Sequence, residues 1–269
     1  MDVRSAGKTD PGLKRKVNED SYLMASDLGL YIIADGMGGH KAGDVASCMV
    51  VETIEDYWRK LRSGNPPAFL ENIQLDISKS AKHLVNSILL ANIMVYEAQK
   101  RPQYYRMGST IAALLLEEDI MWAANVGDSR VYLFAHGDMI QVSEEHSLEK
   151  EQKDMGIIGS EDPNGRDNAL TKNVITRAIG QQESVKVFIT PIQPGVGDII
   201  LMCSDGLTDY TSEQNIRMVI DDFSTSLERK VDVLIDGAKR GGGGDNISVI
   251  LLEVMEERGW NKFRKKLKR

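Results

Sequence analysis

Apolar runs that stop abruptly at an Asp or a Gly recur along this chain, and they mark out its strands. The first, Gly29 to Ala34, ends at Asp35-Gly36 and predicts a buried strand closing in a turn. The period then lengthens. From about Ala42 to Leu61, and again from about Phe69 to Gln99, apolar residues return at helical spacing, with Asn65-Pro66-Pro67 between them as the break. This predicts an adjacent pair of long helices, with Leu84, Ile88, Ala91 and Val95 as a core stripe. Strand signals resume at Thr110 to Leu116, Ile120 to Val126, Arg130 to Phe134 and Met139 to Val142, separated by the turns Glu117-Glu118-Asp119 and Gly127-Asp128, and read as a β-meander.

Residues 143–176 carry little periodicity and hold Gly156, Gly159, Pro163 and Gly165, so they read as an irregular insertion with a short helix near Leu148 to Met155. Beyond it come strands near Val185 to Thr190 and Asp198 to Cys203, helices near Ser212 to Asp221 and Ser226 to Lys239, the glycine run Gly241 to Gly244, and a last strand at Ile247 to Val254. This order of elements predicts an α+β fold, two layers of sheet with helices packed outside.

Composition narrows the class. A chain of 269 residues with 42% hydrophobic and 27% charged positions suits one globular domain with a large core. Cys48 and Cys203 form no close pair and are expected as buried thiols in a reducing compartment. The aliphatic runs are far shorter than the ~18 residues of a membrane span, and the N-terminus shows no apolar leader, so a cytoplasmic protein is expected. The net charge of -7 is unevenly spread: residues 258–269 hold Arg258, Lys262, Arg264, Lys265, Lys266, Lys268 and Arg269 and no acid. The body is therefore markedly acidic, which disfavours nucleic acid as a ligand and favours cations. The tail also carries Trp260, Phe263 and Leu267. It reads either as a disordered solubilising segment or as an amphipathic helix for an acidic partner or anionic membrane surface.

The acids cluster at predicted strand ends. Glu19, Asp20, Asp35, Asp128, Asp205, Asp209 and Asp245 all lie there, several beside glycine. Each alone is open to a plain reading as a turn aspartate bonding its own backbone. Their number, and the lack of zinc-type spacing among His40, His83, His136 and His146, point instead to an oxygen-only site for hard divalent ions, Mg²⁺ or Mn²⁺. Several carboxylates in one place need more than one cation, and a pair of metals can activate a water for in-line attack on phosphorus. Arg15, flanked by Lys14 and Lys16, is the candidate phosphate grip, its alternative being a solvated basic run.

Taken together, these residues resemble the metal-dependent protein phosphatases of the type 2C serine/threonine class, in their short bacterial form. The resemblance runs from about Ser5 to Val254. It rests on motifs in order: Gly12-x-x-Arg15-x-x-Asn18-Glu19-Asp20, Ile33 to His40, Gly108-Ser109-Thr110, Ala124 to Arg130, Glu145-His146-Ser147, Thr176 to Gly180, Cys203 to Asp209, and Gly244 to Ser248. It implies a four-layer α-β-β-α sandwich, a catalytic domain over 1–257 with a flap at about 143–176, and a basic tail over 258–269. It also implies two Mn²⁺ or Mg²⁺ ions and a weaker third. By position Asp35 would bridge two metals, Asp205 and Asp245 would hold the first, and Glu19 with the Gly36 carbonyl would hold the second, Asp20 acting through water. Asp128 and Asp209 would serve the third metal, Arg15 the phosphate, and Asn246 would support the first-metal shell.

Two departures stand out. Met37 occupies the place where animal relatives carry a histidine proposed as general acid, and a methionine has no proton to give, which leaves His40 as the candidate acid or substrate contact. Glu145 replaces the more usual Asp before His146-Ser147. The implied activity is hydrolysis of phosphoserine and phosphothreonine in proteins by direct attack of a metal-bridging water, opposing a bacterial serine/threonine kinase, by a monomer. Two other readings share part of the evidence: a phosphoprotein-binding pseudophosphatase, and a metal-dependent nuclease or small-molecule phosphatase. The intact acid set argues against the first, since its repulsion would be pointless without cations. The acidic body argues against a nuclease.

Overall fold

The computed structural model describes residues 1–38, 42–70, 73–156 and 174–256. Two antiparallel sheets face each other. One contains, in spatial order, β1 (Asp2–Asp10), β11 (Ile247–Met255), β10 (Ile199–Cys203), β7 (Arg130–Ala135) and β8 (Asp138–Gln141). The other contains β2 (Asp20–Ala25), β3 (Leu30–Met37), β5 (Ile111–Glu117), β6 (Ile120–Val126) and β9 (Phe188–Ile192), with the short β4 (Gly108–Ser109) beside the end of β3. Helices α1 (Gly43–Arg62) and α2 (Lys79–Ala98) cover the second sheet; α4 (Asp205–Thr208), α5 (Glu213–Ile220) and α6 (Leu227–Arg240) cover the first. A short α3 (Leu148–Asp154) opens the irregular insertion. The four-layer α-β-β-α sandwich expected from the sequence is present.

Period-two burial explains the layers. In β3, Tyr31 and Ile33 point between the sheets against Ile200, Met202, Ile250 and Leu252, while Leu30, Ile32 and Ala34 point outward into the core that α1 closes with Ala46, Val50 and Ile54 and that also holds the α2 stripe Leu84, Ile88, Ala91 and Val95. Both faces of the central strands are buried, so these strands read in sequence as unbroken apolar runs. Each buried Leu or Ile contributes about 1.5–3 kcal/mol relative to leaving it exposed.

The structure departs from the sequence reading at several points. Helix α2 starts at Lys79 rather than near Phe69, because Ser78 caps it by accepting from Ala81 N at 3.1 Å. The preceding segment is irregular and is tied down by Asn86, which donates to Ala68 O and accepts from Leu70 N. The expected meander is divided: β5–β6 belong to one sheet and β7–β8 to the other, so the Gly127-Asp128 turn carries the chain across the sandwich. Gly127 has φ +101°, and a Cβ there would lie 2.7 Å from Thr110 Cγ2.

Strands β1 and β2 are edge strands of mixed polarity that the apolar pattern did not reveal, and β9 begins at Phe188 rather than Val185. Cys203 is buried as expected, but Cys48 is exposed on α1. No helix among the described residues is long and apolar enough to cross a membrane. His40, the basic tail 258–269 and residues 157–173 of the flap lie outside the described residues.

Candidate metal centre

Both sheets deliver acids to one end of the sandwich. Asp20 opens β2 and is the register partner of Asp35 in β3; Asp35 therefore lies within the strand rather than in a turn after it. From the other sheet, β10 runs into Ser204 and Asp205, the latter opening α4, and Asp245 stands just before β11. Asp128 arrives on the crossing turn after β6. Asp209 follows α4 directly. Five strands and a helix thus fix a ring of carboxylates that sequence spacing alone could not place together.

The surrounding bonds mainly hold the backbone of this ring. The Asp35 carbonyl accepts from Thr110 N at 2.8 Å and Ser109 Oγ at 3.0 Å, and Asp35 N donates to Thr110 Oγ1 at 3.1 Å. The Glu19 carbonyl accepts from Gly36 N at 3.1 Å and Ser47 Oγ at 2.6 Å. Asn246 joins three segments, accepting from Glu19 N at 2.8 Å and donating to Pro11 O at 3.0 Å and Val17 O at 3.1 Å. It therefore anchors both ends of the loop that carries Arg15. Two carboxylate heads are held as well: Asp20 Oδ2 accepts from Ser204 Oγ at 2.8 Å and Ser248 Oγ at 2.6 Å, hydroxyls from the side of the opposite sheet, and Asp245 Oδ1 accepts from Asn246 N at 2.8 Å.

Glycine makes the close approaches. A Cβ on Gly36 would sit 2.0 Å from Gly43 O and 2.6 Å from Glu19 O, and one on Gly43 would sit 2.6 Å from Glu19 Oε1. The start of α1 can press against Glu19 only because both positions lack a side chain.

Electrostatics show what the ring lacks. Burial pushes the Asp205 carboxyl up to about 8, with Asp128, Asp245 and Asp209 adding repulsion. Burial, then Asp20, Asp205 and Asp128, holds Asp35 well above the usual carboxylate range. Burial raises Asp20 to about 6 against the pull of its two serine hydroxyls, raises Asp128 to about 6, and lifts Glu19 as well. Among the described residues, Asp20 Oδ1 and Asp205 Oδ1 are buried oxygens with no hydrogen-bond partner. Arg15 brings a guanidinium to the ring, its Nη2 donating to Asp245 Oδ2 at 2.8 Å.

Among the described residues, no three acidic, His or Cys side chains are already drawn up as a finished coordination cage, which suits carboxylates that repel one another. Oxygen-only donors, two orphaned buried oxygens and raised carboxyls fit hard divalent cations, Mn²⁺ or Mg²⁺, and not zinc.

Some contributors escaped sequence reasoning. Ser204, Ser248, Thr110 and Gly43 carry no chemistry of their own that would single them out. His146 proves to be a framework residue: its Nδ1 accepts from Gly127 N at 3.1 Å and steadies the crossing turn. Glu145 accepts from Arg130 Nη2 at 3.2 Å and from Ser147 Oγ at 2.7 Å, linking the strand after Asp128 to the cap of α3.

Comparisons with known proteins place the chain in a family. Residues 14–235 match the family described as Protein phosphatase 2C. The serine/threonine phosphatase stp of Listeria innocua is 36% identical over 251 residues, covering 91% of this chain and 94% of its own. The solved serine/threonine phosphatase of S. agalactiae superposes with a TM-score of 0.80 at 32% identity, covering 94% and 99% of the two chains. The catalytic domain of PstP, solved in complex with two manganese ions, superposes with a TM-score of 0.77 at 28% identity, covering 94% of this chain and 99% of that one. The chain belongs to the protein phosphatase 2C family. Its enzyme class is accordingly protein serine/threonine phosphatase.

Proposed function

We propose that this phosphatase hydrolyses phosphoserine and phosphothreonine esters in proteins, in opposition to a serine/threonine kinase. The observation that carries the reading is the convergence of Asp20, Asp35, Asp128, Asp205 and Asp245 from two sheets, with Asp35 and Asp205 lifted furthest above their ordinary range.

In this reading Asp35, Asp205 and Asp245 would hold a first cation, and Asp35 and Glu19 with the Gly36 carbonyl would hold a second, Asp20 acting through water. Asp128 and Asp209 would hold a weaker third. When bound, Mn²⁺ or Mg²⁺ supplies a water made nucleophilic at neutral pH and neutralises charge on the phosphoryl oxygens. The chain's own part is to set the carboxylates on rigid strand ends and to bring Arg15 to the rim, where its guanidinium exchanges Asp245 for the substrate phosphate. Asn246 keeps the Arg15 loop in place. His40 is retained as the candidate acid for the leaving group.

Residues 1–257 act as one catalytic domain, a monomer in the cytoplasm, and the basic segment 258–269 is an appendage suited to an acidic partner or anionic surface. The test is hydrolysis of a phosphothreonine peptide and of para-nitrophenyl phosphate, with EDTA and with added Mn²⁺ or Mg²⁺. Activity on both that requires the metal is expected. A folded, metal-supplied protein inert on both would overturn the reading in favour of phosphoprotein binding.

A further inference from the structure

Beside the acidic ring lies a cleft of opposite character. It encloses about 280 Å³ and is lined by donors: Thr176, Arg177, Gln181, Gln182, Ser184 and Lys186. Among the described residues, no carboxylate lines it. Arg177 is shared with Glu144 at 3.6 Å, while Lys186 is exposed and makes no ion pair among the described residues. In a chain of net charge -7, two cations and four neutral donors lining one cleft form an unusual patch.

The wall of the cleft is built in advance. Asn92, buried on α2, donates from Nδ2 to Gln182 O and Glu183 O, each at 3.1 Å, and accepts from Gly180 N at 2.8 Å. Gln99 donates to Gly180 O. Gly180 has φ +85° and packs so closely that a Cβ would meet Val95 Cγ1 at 2.3 Å. A turn held by one buried amide and one glycine presents its outward side chains at fixed positions, which lowers the ordering cost of binding.

Its distance from the reacting centre follows from strand pairing. Gly36, next to Asp35, pairs with Ser109, and Ser109 in turn pairs with Ile179 through bonds of 3.1 and 2.8 Å. Ile179 is therefore two strand spacings from the Asp35 strand, about 10 Å, and the cleft opens on either side of it in sequence. An extended peptide advances about 3.3 Å per residue, so a phosphoresidue at the ring puts a side chain two to four positions away over the cleft. The volume accepts one such side chain.

We propose that this cleft is a specificity subsite for an anionic side chain of the phosphoprotein, a carboxylate or a second phosphate, two to four residues from the phosphate being removed. Lys186 supplies its free positive charge and the Gln181, Gln182 and Ser184 side chains its neutral donors. The proposal rests on the phosphatase reading above.

The experiment compares kcat/KM for phosphothreonine peptides that differ only by Glu, Gln or Lys at each position from two to four residues on either side, in Mn²⁺. Because the preference is a ratio measured on one enzyme sample, it is independent of overall activity. Glu should exceed Gln by about fivefold at one or more of these positions, the size of an exposed ion pair, with Lys poorer than Gln. The preference should shrink at high salt. Lys186→Glu should abolish or invert it, whereas Lys186→Arg should keep it. A second phosphoresidue in place of Glu distinguishes the two anion sources by its larger effect. Ratios within twofold of unity, or a preference untouched by Lys186→Glu, would overturn the subsite while turnover of the Gln peptides leaves the phosphatase reading intact. No turnover of any peptide or of para-nitrophenyl phosphate would overturn both.

Discussion

Asp20 and Asp35 stand directly opposite each other on the antiparallel pair β2–β3, two carboxylates at a register position where like charges destabilise a sheet. The Asp20 carboxylate is drawn toward the other sheet by the Ser204 and Ser248 hydroxyls, so the same contacts that join the sheets also aim an acid into the ring. The fold accepts an electrostatic cost at this end that divalent cations relieve.

That cost has a pH signature. Asp20, Asp35 and Asp205 have folded-state values above those of the unfolded chain, so between about pH 4 and pH 8 the folded, metal-free protein binds more protons than the unfolded one. Stability from these groups is thus greatest below the unfolded values and is lost as pH rises through the folded ones. Thermal melts in EDTA should show a falling Tm from about pH 5 to pH 8. Mn²⁺ should restore stability at pH 8, by about 3 kcal/mol at a hundredfold excess over its Kd there, and less at pH 5.5, where protons compete for the carboxylates. A metal-free Tm that rises over this range would contradict the raised carboxyls.

Asp35→Asn and Asp205→Asn should separate stability from chemistry. Each removes a crowded, repelling acid, so the metal-free protein at pH 8 should melt higher than the unsubstituted chain. Each also removes a ligand in the proposed set, so turnover should fall by roughly a thousandfold or more, in proportion to lost charge stabilisation of several kcal/mol. Circular dichroism melts beside turnover assays read both; a variant that loses activity only because it unfolds would remove the assignment.

Asp128 and Asp209 are expected to act by metal supply. Asp128 is raised to about 6 chiefly by burial, and Asp209 is one of the charges that repel it. Asp128→Asn or Asp209→Asn should lower activity at limiting Mn²⁺ much more than at saturating Mn²⁺. Equal losses across a metal titration would remove these residues from a third-metal role.

Much of this was readable in the chain, for physical reasons that differ by element. The central strands announced themselves because helices bury one face and the opposing sheet the other, so Leu30 to Ala34 and Ile199 to Cys203 are continuous apolar runs. Edge strands β1 and β2 did not, because only Ala6 in β1 and Asp20 and Ala25 in β2 are buried, and most of their polar residues share space with solvent. The acids were legible as a set through their position at strand ends. Their pairing was not: nothing in the sequence spacing states that Asp20 opposes Asp35, or that Gly127-Asp128 crosses between sheets. The cleft near Lys186 was invisible as well, since its wall depends on Asn92, a helix residue 88 positions before the Gly180 amide that it accepts.

Glycine 36 provides a steric prediction. A methyl group there would sit 2.0 Å from Gly43 O and 2.6 Å from Glu19 O, both backbone atoms that cannot rotate away. Gly36→Ala should destabilise by about 1–3 kcal/mol as overpacking and displace Glu19 from the ring. Urea unfolding measures the first effect. A Mn²⁺ titration followed by Tm measures the second, and an unchanged midpoint in both would show that the start of α1 gives way freely.

Arg15 gives the last prediction, and its sign depends on which partner it serves. Its Nη2 lies 2.8 Å from Asp245 Oδ2, with both side chains part-exposed, so the pair itself is worth at most about 1 kcal/mol. Arg15→Ala should therefore change stability little and, by freeing Asp245, should leave metal affinity equal or higher. Loss of a charge-assisted grip on phosphate should raise KM by about tenfold, with a smaller fall in kcat. Arg15→Lys should recover part of the loss, because a point charge replaces a two-pronged donor. If KM stays constant while metal affinity drops, Arg15 is a structural partner of Asp245 and not the phosphate grip.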